Sequence, residues 1–156
     1  MRIRKARFSD AQTISKMMRN TIRLVNSRDY SKLQVKAWLK SDRIKSVKES
    51  LNNPDRMIFV ATENGKIAGV ASMNLKDREL GSLYIRHNIH KKGIGTRLLK
   101  YIEGFAKENG VKKLRLGSTI TALDFYKNHG YTAIKKDHCI LLHGVEIPCI
   151  LMSKRL

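Results

Sequence analysis

Between Glu79 and Gly110 the chain reads ELGSLYIRHNIHKKGIGTRLLKYIEGFAKENG, and this block constrains the fold more than any other. A strand-like run, Leu83-Tyr84-Ile85, enters a short basic loop that ends in Gly93-Ile94-Gly95. A helix starts on those glycines, with Leu98, Leu99, Ile102, Phe105 and Ala106 at helical spacing. Glu103 and Lys107 form an i,i+4 pair on its outer face, and Asn109-Gly110 reads as its stop. Lys113 to Gly117 then reads as a short strand. Strand, helix and strand in this order make a crossover, the connection that joins parallel strands. The loop also builds an anion cradle. Glycines let the backbone approach a ligand, and the first helical N–H groups face it with the positive end of the helix dipole. Lys91 and Lys92 stand beside the cradle, so the implied ligand carries phosphate.

Two standard phosphate cradles fail. No stretch fits the P-loop pattern G-x-x-x-x-G-K-[ST]. A dinucleotide fingerprint needs a third glycine where this chain has Leu98, and an acid after the next strand, which ends Leu116-Gly117-Ser118. A nucleotide-dependent oxidoreductase is therefore disfavoured. A second motif follows, Ala122-Leu123-Asp124-Phe125-Tyr126-Lys127-Asn128-His129-Gly130-Tyr131. By itself it reads as a short helix with Leu123, Phe125 and Tyr126 in the core and Gly130 as C-cap.

The rest of the chain shows no repeat, low-complexity stretch or linker, and its 156 residues suit one domain spanning 1–156. Arg2 to Phe8 reads as a strand. Ser9-x-x-Gln12 reads as a capping box opening a helix with Ile14, Met17, Met18, Thr21, Ile22 and Val25 on one face. Ser31-x-x-Gln34 opens a second helix with Leu33, Val35, Trp38 and Leu39. A further helical piece with Ile44, Val47 and Leu51 ends before Pro54. Met57 to Thr62 and Ile67 to Met73 flank Asn64-Gly65, a type I′ hairpin signal. A strand over Glu79 to Ile85 feeds the glycine loop. At the end, Thr132 to Leu142 and Val145 to Met152 pair around His143-Gly144. The order predicts a mixed α/β fold with helices on both faces of one sheet.

The glycine loop resembles that of the GNAT superfamily, the acetyl-CoA-dependent N-acetyltransferases. That loop reads [Q/R]-x-x-G-x-[G/A] after an apolar strand end; here it is His90-Lys91-Lys92-Gly93-Ile94-Gly95, with His90 in place of Gln or Arg. The Ala122–Tyr131 motif resembles the A-x-x-F-Y-x-x-x-G-F/Y helix of the same family. The likeness spans the chain and is closest to a bacterial and archaeal branch. Tyr30-Ser31, Gln34 and Trp38 match that branch early, as do Gly144-Val145-Glu146-Ile147-Pro148-Cys149 and Met152-Ser153-Lys154-Arg155-Leu156 late. The resemblance implies a mostly antiparallel twisted sheet of about seven strands with a splayed central pair. It implies acetyl transfer from acetyl-CoA to a primary amine of a small molecule or protein. Backbone groups of Leu83, Tyr84 and Ile85 would hold the acetyl carbonyl and pantetheine arm. The run His90, Lys91, Lys92, Gly93, Ile94, Gly95 and Thr96 would hold the pyrophosphate. Thr121 stands where many relatives have an Asn that contacts pantetheine. Tyr126 matches the tyrosine beside the CoA sulfur, a general acid. Glu79 matches the glutamate base of the histone-acetylating branch. Tyr30, Gln34 and Trp38 would line the acceptor pocket, while His87 and His129 read as surface residues.

Charge leaves a second function class open. The chain carries 32 Lys and Arg against 13 Asp and Glu, a net charge of +19. That suits a solvated basic surface or a polyanionic partner, and a non-catalytic CoA- or nucleic-acid-binding module is the alternative reading. No nucleic-acid motif supports it. Such a field would repel a cationic acceptor unless the pocket is locally acidic. No apolar run approaches ~20 residues, and MRIRKARFSD lacks a signal-peptide core, so a cytoplasmic protein without a membrane span is expected. Cys139 and Cys149 have no metal-ligand spacing and read as reduced core residues, a single disulfide being the other reading. No metal is expected, and the sequence leaves a homodimer open.

Overall fold

The computed structural model describes residues 1–41, 44–89, 93–140 and 146–156. Its strands are β1 (Arg2–Lys5), β2 (Arg56–Glu63), β3 (Lys66–Asn74), β4 (Glu79–Ile85), β5 (Lys113–Thr119), β6 (Thr132–Ile140) and β7 (Glu146–Arg155). Its α-helices are α1 (Ala11–Leu24), α2 (Lys32–Ser41), α3 (Ile44–Asn52), α4 (Ile94–Glu108) and α5 (Leu123–Asn128). Short 3₁₀ turns cover Phe8–Asp10, Asn26–Arg28 and Ile120–Ala122. The strands form one seven-stranded sheet in the order β1-β2-β3-β4-β5-β7-β6. Every neighbouring pair is antiparallel except β4–β5, which is parallel and joined through α4. This is the mixed α/β, mostly antiparallel sheet that the sequence predicts.

Alternation along β2 sorts the core. Ile58 and Val60 point to one face, where Ile14, Met17 and Met18 of α1 and Val47 of α3 cover them. Phe59 and Ala61 point to the other, against Leu98, Leu99, Ile102 and Ala106 of α4. Each fully buried Leu or Ile of that α4 stripe contributes about 1.5–3 kcal/mol relative to exposure. A third cluster joins Ile22, Tyr30, Trp38 and Ile147 on the α1 side. Packing between the layers is tight at Gly69. A Cβ there would stand 2.8 Å from both Ile85 Cδ1 and Leu98 Cδ1.

The Asn64-Gly65 hairpin forms as expected, with φ of 50° and 74°. The first helix starts differently. Asp10, not Ser9, organises the turn: its carboxylate accepts from the Arg7 N–H at 2.7 Å and pairs with the Arg4 guanidinium at 2.7 and 3.0 Å. A charge-assisted network prevails over a neutral hydroxyl cap, so β1 stops at Lys5 and a 3₁₀ turn precedes α1. The second box forms as read, with Ser31 N–H donating to Gln34 Oε1 at 2.9 Å and Gln34 N–H to Ser31 Oγ at 3.2 Å. Leu33 does not join the buried face of α2 and is 78% exposed. Cys139 and Cys149 form a disulfide rather than staying reduced. Cys139 pairs with Ile147 and Asp137 with Cys149 in the β6–β7 ladder, which sets the two cysteines diagonally across it with Cα atoms 5.7 Å apart.

Candidate active site

The parallel pair β4–β5 holds together only at Glu79↔Arg115 and Leu80↔Leu116. Beyond Leu80 the strands part, and the β4 edge facing β5 loses its ladder. Next to the parting, the β3–β4 register shifts between Ser72 and Met73, with Gly81 on β4 as the extra residue. The gap opens into a cleft of about 580 Å³. Glu79, Leu83, Tyr84 and Ile85 line it from β4, and Thr121 and Tyr126 from the segment after β5. Trp38, Asn26 and Thr21 line it from the α1–α2 side.

One end of the cleft meets the N-terminus of α4 at Gly95. Gly93 is the N-cap, with φ 69° and ψ 9°, a left-handed conformation that suits glycine. Among the described residues no side chain caps this end, and the helical ladder begins with Arg97 N–H to Gly93 O at 3.0 Å. The N–H groups of Ile94, Gly95 and Thr96 therefore have no intrahelical acceptor. The Ile94 side chain lies in the core. The Thr96 hydroxyl meets His129 Nε2 at 3.0 Å, and His129 Nδ1–H donates to Phe125 O at 2.7 Å. His129 thus ties α4 to α5 instead of standing at the surface, and His87 Nδ1 is likewise buried. His90, Lys91 and Lys92 lie outside the described residues.

Tyr126 is 5% exposed, with its ring edge-on to Phe125 at 5.3 Å and to Tyr131 at 5.6 Å. Burial pushes its phenol well above its ordinary range. It stays protonated at neutral pH. Glu79 stands at the start of β4, on the cleft's lining. Burial raises its carboxyl above the usual carboxylate range, Asp77 adds to the rise, and Arg115 and Arg56 partly oppose it. Thr121 reaches the cleft, but its hydroxyl donates to Asp29 Oδ2 at 2.7 Å. Ile85 O accepts from the Thr21 hydroxyl at 3.0 Å.

Of the three residues expected to wall the acceptor pocket, only Trp38 lines the cleft. The Gln34 side chain is committed to its capping box. Tyr30 is a brace: its hydroxyl donates to Pro148 O and accepts from Ile120 N–H, both at 2.9 Å. Sequence reading passed over Asn26, a buried amide on the 3₁₀ turn, because a lone Asn after a helix has no pattern to mark it. Charge is segregated. Among the described residues no Lys or Arg lines the cleft, whereas Glu79 and Asp137 do. The adjoining groove between α1 and α2, about 430 Å³, is lined by Arg19, Arg23, Lys32, Lys36 and Lys40 and by no acid. Among the described residues no group of three or more His, Cys, Asp or Glu could hold a metal, and no helix is long and apolar enough to cross a membrane.

A family profile describing the acetyltransferase (GNAT) domain matches residues 26–144. The chain belongs to the GNAT acetyltransferase family. Its relatives include the uncharacterized N-acetyltransferase YhfO of Bacillus subtilis (strain 168), 30% identical over 143 residues, 84% of this chain and 89% of that one. Among solved structures, a GCN5-related N-acetyltransferase from Rhodopseudomonas palustris superposes with TM-score 0.89 over 99% of this chain and 95% of that one, at 24% identity. The PaiA N-acetyltransferase of Thermoplasma acidophilum, solved with coenzyme A, superposes with TM-score 0.83 over 99% of this chain and 98% of that one, at 21% identity. At these identities the structural likeness establishes the GNAT fold alone.

Proposed function

We propose that this chain, acting as one domain over residues 1–156, moves an acetyl group from acetyl-CoA directly to a primary amine. The observation that carries the reading is Tyr126, buried, protonated at neutral pH and on the lining of the cleft opened by the parting of β4 and β5. The cleft's residues fit acetyl-CoA. The free N–H groups at Ile94, Gly95 and Thr96, with Gly93 as cap, suit a pyrophosphate. The unladdered β4 edge at Leu83, Tyr84 and Ile85 suits the amides of an extended arm. The PaiA relative's structure with coenzyme A supports the same cofactor here.

When bound, acetyl-CoA supplies an activated thioester carbon. The residues of this chain do the rest. Backbone N–H groups on the unladdered β4 edge would be the donors available to the acetyl group. Glu79 takes the proton that the amine must lose to attack, and a carboxyl raised above its usual range by partial burial is a stronger base for that task. Tyr126, on the cleft lining, would hold the proton that the leaving thiolate of a bound acetyl-CoA needs. The acidic lining draws an amine into a chain whose net charge of +19 would otherwise repel it.

The test is calorimetry of acetyl-CoA at moderate ionic strength, with NADPH and ATP as controls, followed by CoA release with an amine panel. Selective binding and amine-dependent release are expected; equal binding of all three ligands would remove the reading. The cationic α1–α2 groove favours a second reading, a polyanion-binding module. Steeply salt-dependent RNA or DNA binding without amine-dependent CoA release would select it.

A further inference from the structure

Four buried side-chain N or O atoms lack a hydrogen-bond partner among the described residues: Asn26 Oδ1, Trp38 Nε1, His87 Nδ1 and Tyr131 OH. Folded proteins keep few such groups, and each one asks for an explanation. Two of the four belong to residues lining the same cleft. Asn26 is 7% exposed and Trp38 1%.

Neither residue sits on a loose segment that could relax to find a partner. The turn carrying Asn26 is anchored by the next residues. Asp29 accepts from Thr121, and Tyr30 bridges Pro148 O and Ile120 N–H. Trp38 lies edge-on to Tyr30 at 5.4 Å, and Ser41 Oγ donates to the Trp38 carbonyl at 2.7 Å. Both residues sit on the α1 side of the sheet, opposite α4 and its N-terminus. Both line the cleft, as does Gly95 at the N-terminus of α4.

We infer that Asn26 and Trp38 are an acceptor-recognition pair, selecting a cationic amine that carries a hydroxyl or carbonyl oxygen close to its nitrogen and no carboxylate or phosphate. This rests on the acetyl-transfer reading of the cleft. The chemistry of the pair sets the class. Asn26 Oδ1 can only accept, so it takes an N–H of the amine; Trp38 Nε1–H can only donate, so it needs an oxygen. A bare alkyl polyamine offers protonated nitrogens and no acceptor, and would leave Trp38 unmatched. An anionic substituent would meet Glu79 and Asp137 on the described lining, with cations only behind them: Lys135 pairs with Asp137 at 3.1 Å, and Arg115 and Arg56 act on Glu79.

Trp38 is the only tryptophan, so intrinsic fluorescence reports on this site directly. The experiment compares 1,3-diamino-2-propanol with 1,3-diaminopropane, two probes that differ by one hydroxyl, on free and on CoA-saturated protein. The hydroxylated amine should shift the emission and bind at least tenfold tighter. Trp38→Phe keeps the ring and removes the donor; by calorimetry it should erase that preference. Asn26→Leu should weaken both amines about tenfold and leave acetyl-CoA affinity unchanged. Its effect on Tm should be small, because Asn26 Oδ1 has no partner among the described residues to lose. Asn26→Asp, which keeps an acceptor oxygen, should restore amine binding. Equal affinity of the two diamines for the wild type would overturn the proposal. So would an Asn26→Leu variant that loses Tm and acetyl-CoA affinity together, since that is the behaviour of a structural residue. Absence of acetyl-CoA binding to the wild type would instead sink the enzyme reading, and the amine preference of the free protein would still decide this one.

Discussion

Replacing Tyr126 by Phe separates chemistry from structure. The residue is 5% exposed and its ring contacts with Phe125 and Tyr131 survive the change. The change removes one hydroxyl and no ring contact, so stability should change by about 1 kcal/mol or less. For a chain of this size that is a Tm shift of roughly 2–4 °C at most. The loss of a general acid should lower kcat by about 10²–10⁴, which is roughly 2.7–5.4 kcal/mol of transition-state stabilisation. Acetyl-CoA affinity should hold, because the cradle at Gly93 to Thr96 and the β4 edge are untouched. The assay is CoA-thiol release at saturating amine, with calorimetry and a thermal melt on the same preparation. The pH profile adds a check. Burial pushes the Tyr126 phenol up, so it remains a proton donor well into the alkaline range and should impose no alkaline limb in the wild type. A kcat within twofold of wild type would refute the acid role, and a Tm loss well beyond 4 °C would show that the hydroxyl supports the fold.

Glu79→Gln should lower kcat/KM by about 10²–10⁴ and flatten the acidic limb. The raised carboxyl means that activity falls, with decreasing pH, at higher pH than for an ordinary carboxylate. In the folded state Glu79 binds a proton more readily than in the unfolded chain, so its ionised form subtracts stability above its folded pKa; a melt at neutral pH should show no Tm loss in the Gln variant. Gly93→Val meets no atom of the described residues within 4 Å at its Cβ, yet forces a β-branched residue to φ 69°. Calorimetry should show acetyl-CoA affinity more than tenfold weaker, with a fold retained at a cost of about 1–2 kcal/mol or more; an unchanged Kd would mean the cradle lies elsewhere. Gly69→Ala sets a methyl 2.8 Å from Ile85 and Leu98 and 3.1 Å from Tyr84 O. Overpacking of about 1–3 kcal/mol should lower Tm by roughly 2–12 °C, and no change in the melt would refute the packing there. Rising salt should slow acetyl-CoA association and speed that of the amine in stopped flow; parallel responses would contradict the charge layout.

How legible the molecule was depends on how local each signal is. The α4 stripe, the Asn64-Gly65 turn and the Ser31/Gln34 box are written within a few residues, and each appears where the pattern puts it. Asp10 was missed as a cap because its strength comes from Arg4, on the preceding strand. The Cys139–Cys149 bond depends on the β6–β7 register, which places the two diagonally, and no spacing in the sequence encodes that. The site divides the same way. Glu79, Leu83, Tyr84, Ile85, Gly95, Thr121 and Tyr126 sit on or beside motifs, and the fold brings them to one cleft. Tyr30 and Gln34 have motif-like positions too, but their polar groups close bonds within the scaffold. Asn26 carries no motif and becomes visible only when its missing partner is noticed.

The distribution of charge resolves the conflict that composition raised. A field of +19 attracts an anionic cofactor and repels a cationic acceptor, so a uniformly basic cleft would favour one reactant over the other. The chain separates the two demands in space. Cations crowd the groove between α1 and α2, while the described lining of the cleft carries Glu79 and Asp137 without a Lys or Arg. At 4 Å and an effective dielectric of about 20, one charge pair interacts by about 4 kcal/mol, whereas groups more than ~8–10 Å away are screened at ordinary ionic strength. Glu79 and Asp137 therefore act at short range on an amine inside the cleft, partly offset by Arg115 and Arg56 at Glu79 and by Lys135, which pairs with Asp137 at 3.1 Å. The same carboxylates would oppose an acceptor with its own negative charge. Local acidity in a basic protein thus selects for charge, and the unmatched pair at Asn26 and Trp38 then selects for hydrogen-bonding pattern among the amines that enter.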